Sequence, residues 1–141
     1  MKNSLSVSFP SFTRNEALAR GVAAQFVMLM DPTVEELSDV RTAVSEAVTN
    51  AIIHGYGSDR GTVVMELISD GEELTVRVSD EGRGIEDIGL AMKPFYTTKP
   101  LEERTGMGFA VMEAFMDAVD VESTPGKGTT VTLRKRIVKD G

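Results

Sequence analysis

The feature that most limits how this chain can fold is a capped, strongly patterned helix between Thr33 and Gly57. Thr33 stands three residues before Glu36. At that spacing the hydroxyl and the carboxylate each satisfy an orphan backbone N–H at a helix start. Leu37, Val40, Val44, Ala47, Val48 and Ala51 then trace one apolar stripe. The helix is expected to stop near Gly55 or Gly57. A long helix with one apolar face must be buried against a second layer.

The flanking segments supply that layer. Leu5, Val7 and Phe9 alternate with polar residues as in a half-buried strand that Pro10 ends. Thr13 and Glu16 repeat the capping-box spacing, and Ala17, Leu18, Val22, Phe26 and Leu29 follow at helical intervals until Asp31-Pro32 breaks the run. Residues 63–68 and 74–78 are strands around Asp70-Gly71, a hairpin signal. Residues 80–106 are rich in Gly, Pro, Thr and charge; a connection of that length is usually a functional lid or disordered. A third helix is expected over 108–118, and strands over 120–123 and 130–135 flank the turn Pro125-Gly126-Lys127-Gly128. The sum is an α+β two-layer sandwich, helices on one face of a mostly antiparallel, mixed sheet. Its 141 residues are expected to form one domain, residues 1–141.

Composition narrows the chemistry. There is no cysteine and a single histidine, which removes disulfides and thiol catalysis and leaves little for zinc. A net charge of −7 argues against general nucleic-acid binding, which needs phosphates neutralised. The basic run Arg134, Lys135, Arg136 and Lys139 is expected to be a solvated strand edge. No signal peptide or membrane-length apolar stretch is present, so the expected location is cytoplasmic, with no membrane partner.

Four clusters carry candidate chemistry. Glu46, Asn50 and His54, at i, i+4 and i+8, share a helix face beside the apolar stripe. Asn50 offers a neutral oxygen suited to Mg²⁺, and Glu46 a carboxylate that can take a proton; a solvated polar flank is the plain alternative. Asp80-Glu81-Gly82-Arg83-Gly84 follows a strand, where the Asp can accept from an exocyclic amine and the glycines let backbone approach a flat ring, unless it is an ordinary turn. Thr105-Gly106-Met107-Gly108 opens a helix, a place for phosphate, with Lys99 and Arg104 just upstream. Gly126 to Val131 is a turn entering a strand whose Thr129 or Thr130 can bond a base edge or its water; alternation favours Thr129.

Together, in this order, the clusters resemble one superfamily. SEAVTNAIIHGY resembles the N box of the GHKL superfamily (gyrase B, Hsp90, histidine kinases, MutL), DEGRG its G1 box, TGMG its G2 box and GKGTTVTL its final Gly-Thr strand. With FYTTKP and ERTGMGFAVMEAFMD, the chain looks like the small bacterial serine kinases that act as anti-sigma factors.

The resemblance implies the Bergerat ATP-binding fold with ATP/ADP and Mg²⁺ as cofactors. It implies Asn50 as the Mg²⁺ residue, Glu46 as general base and Asp80 as the adenine acceptor. Gly82 and Gly84 would pass beside the base. Lys99, Arg104, Thr105, Gly106, Met107 and Gly108 would form lid and phosphate contacts, and Thr129 or Thr130 would complete adenine recognition. It implies three partners: a sporulation sigma factor of the sigma-F type, kept from RNA polymerase; a small anti-anti-sigma protein phosphorylated on serine; and a second copy of the chain in a homodimer built partly by the N-terminal strand region. Arg20 is a candidate partner contact, and His54 a structural residue near the helix end. The competing reading is a nucleotide-gated binding module with little catalysis. A gyrase- or MutL-type clamp would need a transducer domain, and a histidine-kinase core a phosphoacceptor domain.

Overall fold

In a computed structural model, the structure describes residues 2–57, 60–85 and 108–138. Among these, five strands form one sheet: β1 (Lys2–Pro10), β2 (Thr62–Asp70), β3 (Glu73–Asp80), β4 (Ala118–Thr124) and β5 (Gly128–Arg136). Their spatial order is β1-β2-β3-β5-β4. The helices α1 (Asn15–Met28), α2 (Val34–Asn50) and α3 (Gly108–Phe115) accompany it, with α2 packed between α1 and α3 and against β3 and β5. Every pairing among the described strands is antiparallel. The expected sandwich is therefore present, but without the mixed character expected of its sheet: each described strand runs opposite to its neighbours.

The stripe on α2 is the centre of the core. Val40, Val44 and Val48 are wholly buried, as are Ala43 and Ala47. Each such valine contributes about 1.5–3 kcal/mol relative to an exposed position. Against them lie Met65, Leu67, Leu74 and Val76 of β2 and β3 and Leu133 of β5, all from the inner face of the sheet. The capping box forms as its spacing predicts: Glu36 N–H donates to Thr33 Oγ1 at 3.0 Å, and Thr33 N–H donates to Glu36 Oε1 at 2.8 Å. The other Glu36 oxygen accepts from Val138 N–H at 3.1 Å, tying the last strand's exit to the start of α2. Burial works to raise the Glu36 pKa, but these hydrogen bonds and the charge of Lys135 outweigh it and hold the carboxyl below its usual range.

The first helix differs from its expected form in two respects. Thr13 does not cap it. Arg14 is the N-cap, without a side-chain cap bond, and Glu16 turns toward Arg20 at 3.6 Å. Asn15 Nδ2 instead anchors the turn by donating to Pro10 O at 2.9 Å. The helix buries only part of the expected face, Phe26 and the half-buried Val22. Ala19, Ala23, Phe26 and Val27 face the core, whereas Leu18 is 57% and Leu29 72% exposed. Two small alanines share that inner face with Phe26 and Val27, so strong hydrophobicity alone does not mark it.

Other elements differ by a few residues. Asp70 belongs to β2 and pairs with Glu73, so the hairpin turn is Gly71-Glu72, with Gly71 at φ 61°. Positive φ at the first central position alone is a type II′ turn, whose twist suits a two-residue hairpin. Helix α3 ends at Phe115, earlier than expected, because Asp117, just before β4, is bonded to β5: its N–H donates to Arg134 O and its Oδ2 accepts from Arg136 N–H. The basic run is not a sheet edge either. Strand β5 lies between β3 and β4, and its cations are matched one by one: Arg134 with Asp120, Lys135 with Asp39, Arg136 with Glu72. Lys139 lies outside the described residues. No helix among the described residues is long and apolar enough to cross a membrane.

Candidate functional site

Helix α2 does not end as an ordinary helix. From Ala51 to Tyr56 the chain winds as a π-helical turn, closed by a bond from Gly57 N–H to Ile52 O at 3.0 Å and stopped by Gly57 at φ 62°. A π-turn bonds i to i+5, one residue more than an α-turn, and such turns recur at functional sites. The helical run thus ends where the glycines predict. His54, however, no longer continues the α-helical spacing set by Glu46 and Asn50. Those two, both half-buried, remain one turn apart on α2.

The turn's chief product is a row of backbone contacts with the loop after β3. The last carbonyls of a helix lack intrahelical partners. Here Gly55 O accepts from Arg83 N–H at 2.9 Å, and His54 O from Arg83 Nε at 2.8 Å. Tyr56 completes the attachment: its hydroxyl accepts from Glu81 N–H at 2.8 Å and donates to Thr62 O at 2.6 Å. The segment Glu81-Gly82-Arg83 is therefore held against the end of the helix that carries Asn50.

Asp80 sits in the angle between them, buried at the end of β3. Gly55 makes room for it, since a Cβ there would lie 2.8 Å from the Asp80 Cγ and Oδ1. Gly82 is equally confined, because a Cβ would stand 2.0 Å from Gly55 O. Gly82 N–H donates to Asp80 Oδ1 at 2.9 Å. Burial pushes the Asp80 pKa up, opposed by the backbone hydrogen bonds from Gly82 and Thr129. A buried carboxylate beside bare backbone is a fitting acceptor for an amine on a flat ring.

The register settles how the two threonines are placed. Asp80 pairs with Thr129 and Ser79 with Thr130. Directly opposed residues share a face, so Thr129 lies with Asp80 on the helix side and Thr130 on the opposite side. There Thr130 Oγ1 lies 3.1 Å from Ser79 Oγ. Gly84 lies against the Thr124 carbonyl, which a Cβ would approach to 2.3 Å. Gly108 opens α3 directly over Asn50, whose Nδ2 would be 2.9 Å from a Cβ at that position. The structure thus sets Asp80, Gly82 and Thr129 together beside Gly55, Gly108 against Asn50 and Gly84 against Thr124, with Glu46 a turn along α2 from Asn50. Arg20 stands apart on α1, paired with Glu16. Lys99, Arg104, Thr105, Gly106 and Met107 lie outside the described residues.

The sequence assigned no place at the site to Gly55, Tyr56, Arg83 or Ser123. Gly55 had a signal, a glycine inside the helical run where alanine is preferred. Ser123 had none. Its hydroxyl is within 2.9 Å of Thr129 Oγ1 and of Gly128 O, and accepts from Ile85 N–H at 2.7 Å.

An α+β sandwich with a buried carboxylate at a strand end and close-packed glycines beside it is the architecture of the histidine kinase-like ATPase class. The model of the histidine kinase-like ATPase domain family matches residues 9–135. The chain belongs to that family, the GHKL superfamily, and within it to the group of the anti-sigma F factors. It is 52% identical over 138 residues to the anti-sigma F factor of Thermoanaerobacter sp. (strain X514), covering 98% of this chain and 96% of that protein. It is 53% identical over 133 residues to that of Clostridium kluyveri, covering 94% of each. With the anti-sigma F factor of Oceanobacillus iheyensis it shares 48% over 140 residues, 99% of this chain and 96% of the relative. The crystal structure of the RsbU and RsbW domains of Rv1364c from Mycobacterium tuberculosis has the same fold, with TM-score 0.71 at 20% identity. That match covers 99% of this chain and 34% of the solved one.

Proposed function

We propose that the chain is an anti-sigma factor and a protein-serine kinase. It binds a sporulation sigma factor of the sigma-F type, keeps it from RNA polymerase, and transfers phosphate from ATP to a serine of a small anti-anti-sigma protein. The observation that carries this reading is the buried Asp80 beside Gly55 and Gly82, under a helix bearing Asn50 and Glu46. The names of the relatives supply the sigma factor.

The residues fit ATP and Mg²⁺. Asp80 accepts from the exocyclic amine of adenine, and Thr129 stands beside it on the same face. Asn50 would hold Mg²⁺ through its neutral side-chain oxygen, a donor that such a hard cation accepts. Bound Mg²⁺ neutralises the charge of the phosphates. In the transfer, the partner's serine oxygen forms a bond to the γ-phosphorus and the bond to the bridging oxygen of ADP breaks. Glu46 takes the hydroxyl proton. Such transfers depend mainly on positioning and charge stabilisation, with the base adding about 10²–10⁴ in rate. Lys99, Arg104, Thr105, Gly106, Met107 and Gly108 are proposed to complete the phosphate contacts, Arg20 to meet protein partners, and a homodimer in the cytoplasm to be the working form.

The test is incubation with labelled ATP and an anti-anti-sigma protein, followed by phosphoamino-acid analysis, for wild type and Glu46→Gln. Labelled phosphoserine is expected from wild type and a loss of about 10²–10⁴ from the variant. Undiminished sigma binding by Glu46→Gln separates the two activities. Nucleotide binding without any transfer would leave a nucleotide-gated binder.

A further inference from the structure

Ser123, on β4, lies outside every motif of the sequence and has a hydrogen-bond arrangement with one solution. Its hydroxyl owns one proton and two acceptor lone pairs. Three groups surround it. Ile85 N–H, at 2.7 Å, can only donate. Gly128 C=O, at 2.9 Å, can only accept. Thr129 Oγ1, at 2.9 Å, can do either. The amide uses one lone pair and the carbonyl uses the proton. What remains for Thr129 is the second lone pair, so Thr129 must donate to Ser123.

The consequence falls on the pocket. A hydroxyl whose proton is committed offers only lone pairs elsewhere. Thr129 stands opposite Asp80 in register, both buried on the helix side of the sheet. Opposed side chains in an antiparallel pair have Cβ atoms about 4.5–5.5 Å apart. The floor of the pocket therefore presents two neighbouring acceptors, the Asp80 carboxylate and Thr129 Oγ1. Two acceptors suit the two hydrogens of an exocyclic amine, directly or through water. They repel a carbonyl oxygen in the same position.

We propose that Ser123 is a positioning residue for base selection: by taking the Thr129 proton it fixes that hydroxyl as an acceptor and so sets discrimination between 6-amino and 6-oxo purine nucleotides. The inference rests on the adenine-binding reading of the Asp80 site. In Ser123→Ala the Thr129 hydroxyl is free to rotate and donate to a 6-oxo group, so selectivity falls while the Asp80 acceptor remains.

The experiment is calorimetric titration of the full chain with MgATP and with the inosine triphosphate complex of magnesium. The readout is the ratio of the two affinities. Wild type is expected to prefer ATP, and Ser123→Ala to lower the ratio by about tenfold, the scale of one neutral hydrogen bond gained by the wrong base and lost by the right one. Ser123→Thr, which keeps the hydroxyl, is expected to restore the ratio. In a Thr129→Val background, Ser123→Ala is expected to leave the ratio unchanged, because the group it acts through is gone. A merely structural serine would weaken both nucleotides together, and an unaltered ratio in Ser123→Ala overturns the proposal alone. A wild type without preference for ATP overturns the adenine reading and the proposal with it.

Discussion

Replacing Gly55 with alanine tests whether the end of α2 positions the base acceptor. The added Cβ would lie 2.8 Å from Asp80 Cγ and Oδ1 and 2.9 Å from Oδ2, against about 3.4 Å or more for an ordinary contact. If the backbone holds, the carboxylate must retreat by about 0.6 Å. That movement would carry a hydrogen bond of about 2.9 Å to the limit of useful geometry. Losing a hydrogen bond to a charged group costs about 1.5–3 kcal/mol, so MgATP affinity is expected to fall by about 10–150-fold. Stability should change less. Overpacking costs about 1–3 kcal/mol, partly offset by the preference of a helix for alanine over glycine. Isothermal titration gives the affinity, and thermal melting of the same preparation gives the fold. A variant that binds MgATP like wild type would refute the reasoning, as would one whose lost affinity merely tracks a collapse in melting temperature.

Three further outcomes follow from the same geometry. The Asp80 pKa is raised by burial, so as pH falls the carboxylate should be protonated, and MgATP affinity lost, at a higher pH than an ordinary aspartate would give; titrations across the acid range check this, and Asp80→Asn should flatten the profile. Thr33→Ala removes one half of the capping box and should cost about 1 kcal/mol, or roughly 3–5 °C in melting temperature, without altering nucleotide affinity. The Glu36 carboxylate in that box is held below its usual pKa, so it contributes stability above its unfolded pKa that disappears as pH falls through the lower folded value; melting of Glu36→Gln against wild type should show a difference that shrinks on acidification.

What could be read beforehand followed from periodicity and register. The stripe of α2 was legible because valines at three- and four-residue intervals have few other uses. That Thr129 rather than Thr130 faces inward was legible because alternation along β5 puts it in phase with Val131 and Leu133, whereas its pairing with Asp80 came only with the sheet register. The inner face of α1 was not, since alanines carry no strong apolar signal, and Leu18 and Leu29 point the apolar pattern to the solvent side. The change of winding after Asn50 was hidden as well. It is held by long-range bonds from Arg83 to its carbonyls and between its Tyr56 and Glu81, which no local pattern encodes. Ser123 looked like any polar residue on a strand, and only the meeting of Ile85, Gly128 and Thr129 gives it meaning.

The winding of residues 51–56 makes the length of this segment as consequential as its composition. Removing one residue between Ala51 and Tyr56 would let the turn relax to ordinary α-helix, and everything after the cut would rotate by about 100° around the axis. Gly55 would swing off the carboxylate, and the carbonyls that receive Arg83 would point elsewhere, although every named side chain could still be present. A single-residue deletion here is thus a change of phase. The count of residues between Asn50 and Gly57 is thus as constrained as the glycines it places.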